Sequence, residues 1–137
     1  MKYYDFDVRI AYADTDRMGV VYYANYLVLF ERGRTEFLRN LGVRYRDMEE
    51  KLKIFLPATE SHIAYLAPAH YDDLIKVRTY ISELGGAHVI FRYEITLVDS
   101  GALVANGTTK HAVVNLLWRP TRLPPELHEL LEKNLTK

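Results

Sequence analysis

The sequence predicts an α+β fold in which a five-stranded antiparallel sheet wraps around one long central helix, with a short helix near the C-terminal end. Three observations carry that prediction. Stretches of period two, separated by hairpin-type turns, supply the strands, and a single long segment of period 3.6 supplies the helix. Each presents one broad apolar face, so each can bury the other. The length of 137 residues suits one domain spanning 1–137, and a hydrophobic content of 49% is enough to fill its core.

From Tyr4 to Tyr12 the chain alternates, with Tyr4, Phe6, Val8, Ile10 and Tyr12 on one side and Asp5, Asp7, Arg9 and Ala11 on the other. An Asp14-Thr15-Asp16 loop ends this strand. From about Tyr23 to Leu41 a helix is expected, its apolar face made by Tyr23, Tyr26, Leu27, Phe30, Phe37, Leu38 and Leu41. Gly42 stands where a C-cap glycine belongs. Arg34 interrupts the apolar face and Glu31 flanks it; the pair is expected to form a hydrogen-bonded structural network. The charged segment 44–53 reads as a short helix or loop. Extended chain follows from Ile54 to Leu66, closed by Pro68. A strand with Ile75, Val77, Thr79 and Ile81 inward is next, then Gly85-Gly86 as a turn, and then a strand burying Val89, Phe91, Tyr93, Ile95 and Leu97. Asp99-Ser100-Gly101 turns the chain into a long last strand from about Ala102 to Trp118. Pro124-Pro125 then opens the terminal helix with Leu127, Leu130 and Leu131.

Composition removes several classes of function. Lys and Arg (18) balance Asp and Glu (18), so no overall field recruits nucleic acid or an anionic membrane. The absence of cysteine excludes disulfides, thiolate metal sites and thiol catalysis. No apolar run approaches the roughly 18 residues of a membrane span, and the start of the chain lacks a signal-type apolar region. A cytoplasmic protein without an integral membrane segment is expected.

The stretch Asp14-Thr15-Asp16-Arg17-Met18-Gly19-Val20-Val21-Tyr22-Tyr23-Ala24-Asn25-Tyr26 carries the chemistry. The first N–H groups of a helix have no partner inside it and sum to a partial positive charge. They can bind an anion or stabilise a carbonyl oxygen as negative charge develops. Asp16 lies one loop upstream of that helix start, and Gly19 lets the backbone turn tightly. A carboxylate beside an oxyanion donor is the minimum for acyl transfer, with Asp16 either attacking the carbonyl or acting as general base on water. The same spacing also fits plain turn capping, or a Mg²⁺ site built on paired carboxylates.

The motif, continuing through Phe30-Glu31-Arg32-x-Arg34-Thr35-Glu36, resembles the signature of the hydroxybenzoyl-CoA thioesterase family of hotdog-fold proteins, and within it the acyl-CoA thioesterase branch associated with the Tol-Pal cluster. Tyr65-Leu66-Ala67-Pro68-Ala69-His70-Tyr71-Asp72-Asp73 resembles that family's Pro-Ala-x-x-Asp-Asp segment, and Arg119-Pro120 with Leu123-Pro124 its C-terminal end. The resemblance implies a hotdog fold, hydrolysis of an acyl-CoA thioester, and Asp16 as the catalytic carboxylate. It further implies that the backbone N–H of Tyr23 polarises the carbonyl while Gly19 shapes the loop. Many members of the Tol-Pal branch carry His where this chain has Tyr23, whereas hydroxybenzoyl-specific members resemble it in having Tyr. No cofactor is implied, coenzyme A being part of the substrate. A homodimer or homotetramer with sites at subunit interfaces is implied, and acyl-carrier protein is a candidate partner. A non-hydrolytic protein binding acyl-CoA or acyl-carrier protein is the alternative; a hydratase would need a His that the motif lacks.

Val20, Val21, Tyr26 and Tyr65 are the expected pocket residues, and Arg92, Lys110 and Arg119 are candidate partners for the phosphates of coenzyme A. Asp14 reads as a loop stabiliser. The histidines at 62, 70, 88, 111 and 128 show no metal-ligand spacing, so no metal site is expected. Eleven tyrosines are mostly half-buried strand residues.

Overall fold

A computed structural model describes residues 2–136. Its strands are β1 (Tyr4–Arg9), β2 (Ile54–Phe55), β3 (Ala58–Tyr65), β4 (Leu74–Leu84), β5 (His88–Leu97), β6 (Leu103–Ala112) and β7 (Val114–Asn115). The helices are α1 (Asn25–Asn40), a single turn α2 (Tyr45–Asp47) and α3 (Pro125–Lys133). Five strands form one antiparallel sheet in the order β1-β4-β5-β6-β3, and β2 pairs with β7 as a separate two-stranded ribbon. This is the sheet-around-a-helix arrangement the sequence predicts.

Burial explains the arrangement. Ile75, Val77 and Ile81 of β4 and Phe91, Tyr93 and Ile95 of β5 have no exposed surface, and they meet Phe30, Phe37 and Leu38 of α1. The Phe30 ring lies flat on Tyr93, centroids 4.2 Å apart. Gly42 ends the helix as expected, at φ +89°. Its N–H donates to Arg39 O and that of Val43 donates to Leu38 O, the two hydrogen bonds that close a helix through a left-handed residue.

Three expectations shift. The helix begins at Asn25 rather than about Tyr23, because residues 22–24 form a turn tied to the preceding loop by Tyr22 N–H to Asp14 O. Tyr23 and Leu27 are therefore 61% and 40% exposed, and Leu29 and Gly33 take their places on the buried face. Tyr12 leaves the first strand: it sits in a 3-10 turn (Tyr12–Asp14), 75% exposed, and stacks on Tyr71 instead of entering the core. The long last strand is broken after Ala112. There Val113 N–H turns aside to Ala87 O, and a short second piece, β7, leads into a tight loop at Asn115–Arg119.

Candidate active site

The loop between β1 and α1 is built by its own polar groups. Asp14 Oδ2 accepts the Ala11 N–H at 2.8 Å, and Asp14 O accepts from Tyr22 N–H and from Asn25 Nδ2. Asp14 is thus occupied as a loop stabiliser. Asp16 closes a smaller turn: its N–H donates to Val20 O, its carbonyl accepts from Gly19 N–H, and Oδ1 accepts from Met18 N–H at 2.8 Å. Gly19 stands at φ +82° there, a conformation that a side chain would strain. One carboxylate oxygen of Asp16 thereby orients the side chain. Oδ2 accepts no hydrogen bond from the described residues.

The loop is pinned to the segment after β3, since Val21 N–H donates to Ala69 O and Val20 bridges His70. This opens a cleft of about 390 Å³ lined by Asp16, Met18, Val20, Val21, Tyr23, Tyr26, Tyr65, Leu66, Ala67 and Pro68. The helix start faces the same loop. Asn25, Tyr26 and Leu27 donate to the carbonyls of Tyr22, Tyr23 and Ala24, whereas Tyr23 N–H and Ala24 N–H donate to no acceptor among the described residues. Two free donors at a helix N-terminus are what a developing oxyanion requires.

Aromatic rings form the wall. Tyr65 meets Tyr26 and Tyr23 edge-on at 5.5 and 6.3 Å, and its hydroxyl donates to Tyr23 O at 3.3 Å. Burial raises the Tyr26 phenol above its ordinary value, with the neighbouring Tyr65 adding to it, so Tyr26 stays neutral and apolar in character. The arrangement can seat a carbonyl between a carboxylate and backbone donors, with an apolar group against tyrosine.

Of the residues expected at the site, Asp16, Val20, Val21, Tyr23, Tyr26 and Tyr65 converge on this cleft, and Gly19 shapes its loop. The three candidate cations do not line it. Arg92 lies on the opposite face of the sheet, its guanidinium 4.0 Å from the Tyr80 ring centroid and 3.6 Å from Glu94. Lys110 is 3.7 Å from Glu60, and Arg119 is exposed beyond β7. Met18, Leu66, Ala67 and Pro68 are cleft residues not named individually beforehand; the Pro-Ala segment that holds three of them was the signal available.

Arg34 donates to Tyr45 OH at 3.2 Å and Tyr93 OH at 3.4 Å rather than to Glu31, which is exposed. Burial pushes the Tyr45 phenol up to about 12 despite that cation. A larger groove of about 470 Å³ lies between the end of α1 and α3; of its two carboxylates Asp47 is paired with Arg44, and Glu126 stands in the first turn of α3. Among the described residues no three His, Asp or Glu side chains group as a metal cage would need, and no helix is long and apolar enough to cross a membrane.

The profile of the thioesterase-like superfamily matches residues 10–131. The acyl-CoA thioesterase YbgC of Haemophilus influenzae is 38% identical over 125 residues, covering 90% of each chain. The acyl-CoA thioester hydrolase YbgC of Escherichia coli O6:H1 is 31% identical over 120 residues, covering 88% of this chain and 89% of the relative. Among solved structures, a DHNA-CoA thioesterase from Staphylococcus aureus superposes with a TM-score of 0.91 at 32% identity, covering 97% of this chain and 91% of its own. With its motif, its sheet around a helix and these relatives in agreement, the chain belongs to the thioesterase-like superfamily of hotdog-fold proteins.

Proposed function

We propose that the protein is an acyl-CoA thioesterase that hydrolyses its substrate in the Asp16 cleft. The observation that carries this reading is the meeting, in one cleft, of a carboxylate with a free oxygen and a helix start with free N–H donors. In this mechanism the thioester carbonyl takes the Tyr23 N–H, so negative charge forming on its oxygen is held by a donor already in position. Asp16 Oδ2 then acts from the loop, either as nucleophile giving an anhydride that water opens, or as base removing a proton from attacking water. Oδ1, held by Met18 N–H, keeps the group aimed in both cases. The thiolate of coenzyme A leaves, and the free acid remains against the tyrosine wall. Coenzyme A enters with the substrate, and no resident cofactor takes part.

The naming of relatives as an acyl-CoA thioesterase and a 1,4-dihydroxy-2-naphthoyl-CoA hydrolase supports the substrate class. A homodimer suits the unpaired edge of β3, which would otherwise stay open. The test is steady-state hydrolysis across short, long and aromatic acyl-CoAs with the Asp16→Asn and Asp16→Ala proteins alongside. We expect each to lose activity on the order of 10²-fold or more on the best substrate. Full activity of Asp16→Asn would sink the mechanism; turnover absent from the unmodified protein, with binding retained, would point to a carrier or sensor instead.

A further inference from the structure

Two exposed apolar clusters lie at opposite ends of β3. At its C-terminal end stand Tyr22, Tyr23, Tyr65 and Leu66, between 43% and 61% exposed. Beyond its N-terminal end the loop after β7 holds out Leu117 and Trp118, 74% and 65% exposed, with Phe55 against the indole at 6.0 Å. Asn115 builds that loop: its Oδ1 accepts from Leu117 N–H and Arg119 N–H, and its carbonyl accepts from Trp118 N–H. Trp118 is held at φ +62°, a conformation a bulky residue adopts only when its surroundings impose it. The loop is therefore constructed to turn an indole outward. Within one chain the clusters are separated by the length of β3, roughly 23 Å at about 3.3 Å per residue.

Antiparallel pairing of β3 with its own copy brings them together. β1, the other edge, is short and carries Asp5, Asp7 and Arg9, the charges that protect an edge. β3 has eight residues, seven of them exposed, and one carboxylate. A two-fold axis normal to the sheet keeps both helices on one side. Facing residues then share a face, so one residue must lie opposite its own copy. Ser61 on the axis sets Glu60 against His62 of the partner subunit, twice; His62 on the axis would set like against like. The Ser61 register brings Tyr65 alongside Pro57 and Ala58 of the partner subunit, with the Phe55–Trp118 pair just beyond, over Leu66. An isologous contact needs two patches that complement each other, and these two do.

We propose that Trp118 of the partner subunit, backed by its Phe55, forms the outer wall of the acyl cleft and limits the size of the acyl group that fits. This rests on the thioesterase reading of the Asp16 cleft. A larger space opens when the indole is removed, so selectivity between long and short acyl groups is the property that moves.

The chain has no cysteine and one tryptophan, which makes the tests clean. Ser61→Cys should oxidise to a covalent dimer, because facing Cα atoms about 4.5–5.5 Å apart suit a disulfide; a protein that stays uncrosslinked under oxidant overturns the pairing. Trp118 emission in the ligand-free dimer should be that of a shielded indole, and emission typical of full exposure overturns the wall whether or not the protein turns over substrate. Trp118→Ala should shift the ratio of kcat/KM for long over short acyl-CoA by about tenfold. Mixed dimers, purified through two affinity tags, then assign the subunit. With Asp16→Asn in one subunit and Trp118→Ala in the other, the surviving Asp16 faces an intact partner Trp118, and the unmodified ratio should return. An altered ratio in that mixed dimer, or an unaltered one in the Trp118→Ala homodimer, overturns the proposal. Loss of the thioesterase reading looks different: turnover is absent at the start, or Asp16→Asn is fully active, while crosslinking and emission still report on the wall.

Discussion

His111 has no exposed surface, yet its ring is satisfied at both nitrogens. Nδ1 lies 2.9 Å from Leu56 O, which can only accept, so Nδ1 carries the proton and Nε2 accepts from Thr109 Oγ1 at 2.8 Å. The direction then runs on without a break: Thr109 Oγ1 accepts from Tyr93 OH at 2.6 Å, and Tyr93 OH accepts from Arg34. A proton on Nε2 would reverse its bond, making Thr109 Oγ1 the acceptor and forcing the Thr109 hydroxyl proton to turn away from the ring. Burial pushes the His111 pKa down to about 4 from an ordinary 6.5, the Arg34 charge adds to this, and the Leu56 carbonyl opposes it. The folded state holds the ring neutral. The stabilisation is therefore complete above pH 6.5 and is lost as pH falls from there to about 4, on the order of 3 kcal/mol in all. Urea unfolding at pH 7 and pH 4.5 should show this fall in the unmodified protein. His111→Asn, which keeps a donor toward Leu56 O, should be less stable at pH 7 but should flatten the slope. An equal slope in both would place the acid sensitivity elsewhere. The full chain could not be read from the sequence, because Tyr93 of β5 meets Thr109 and His111 of β6 through strand pairing and Arg34 reaches them only where α1 packs on the sheet.

At the scale of elements, the contact that decides how closely α1 lies on the sheet is Gly33. A glycine inside a helix normally costs about 1 kcal/mol relative to alanine, so Gly33→Ala would stabilise an isolated α1. In the fold a Cβ there would come 2.7 Å from both Thr79 Oγ1 and Val77 Cγ1, and both neighbours are β-branched and stiff. Overpacking of that kind costs about 1–3 kcal/mol, so the packing loss should exceed the propensity gain and Gly33→Ala should unfold at lower denaturant. A stability equal to or above that of the unmodified protein would mean the helix moves away freely. The helix itself was legible from its 3.6 period and from Gly42, which does end it. Its buried face was legible at Tyr26, Phe30, Phe37 and Leu38, but the edge of that face near the helix start was not. The N-terminal turn at 22–24 is set by a bond from Tyr22 to Asp14, a contact outside the helix, and it moves Tyr23 and Leu27 off the buried face.

Across the whole molecule, what the sequence revealed is what local pattern encodes: strands with a buried face, turns at Gly85-Gly86 and Asp99-Ser100-Gly101, and a carboxylate loop before a helix. What it concealed is pairing between distant segments, including the placement of β3 at an edge and the role of the chain's end. Past α3 the last described residues return to the sheet. Leu135 bridges Ile81 in parallel, Thr136 N–H donates to Ile81 O at 2.9 Å, and Thr136 Oγ1 donates to Lys2 O at 2.6 Å. Lys2 Nζ reaches Lys133 O in turn. β1 pairs with β4 only as far as Thr79, so this tail occupies the part of the β4 edge that β1 leaves open and ties the two ends of the chain together. Removing residues 135–137 should therefore expose amides around residue 81 and loosen the start of β1, while the Asp16 cleft, built from the loop after β1 and the segment after β3, is untouched. Hydrogen exchange should show faster labelling confined to residues 2–6 and 79–84, with a loss of about 1–2 kcal/mol for the two backbone-anchored bonds and the Leu135 contact. Exchange that rises throughout β5 and β6 instead would mean the tail supports the core and does not merely close an edge.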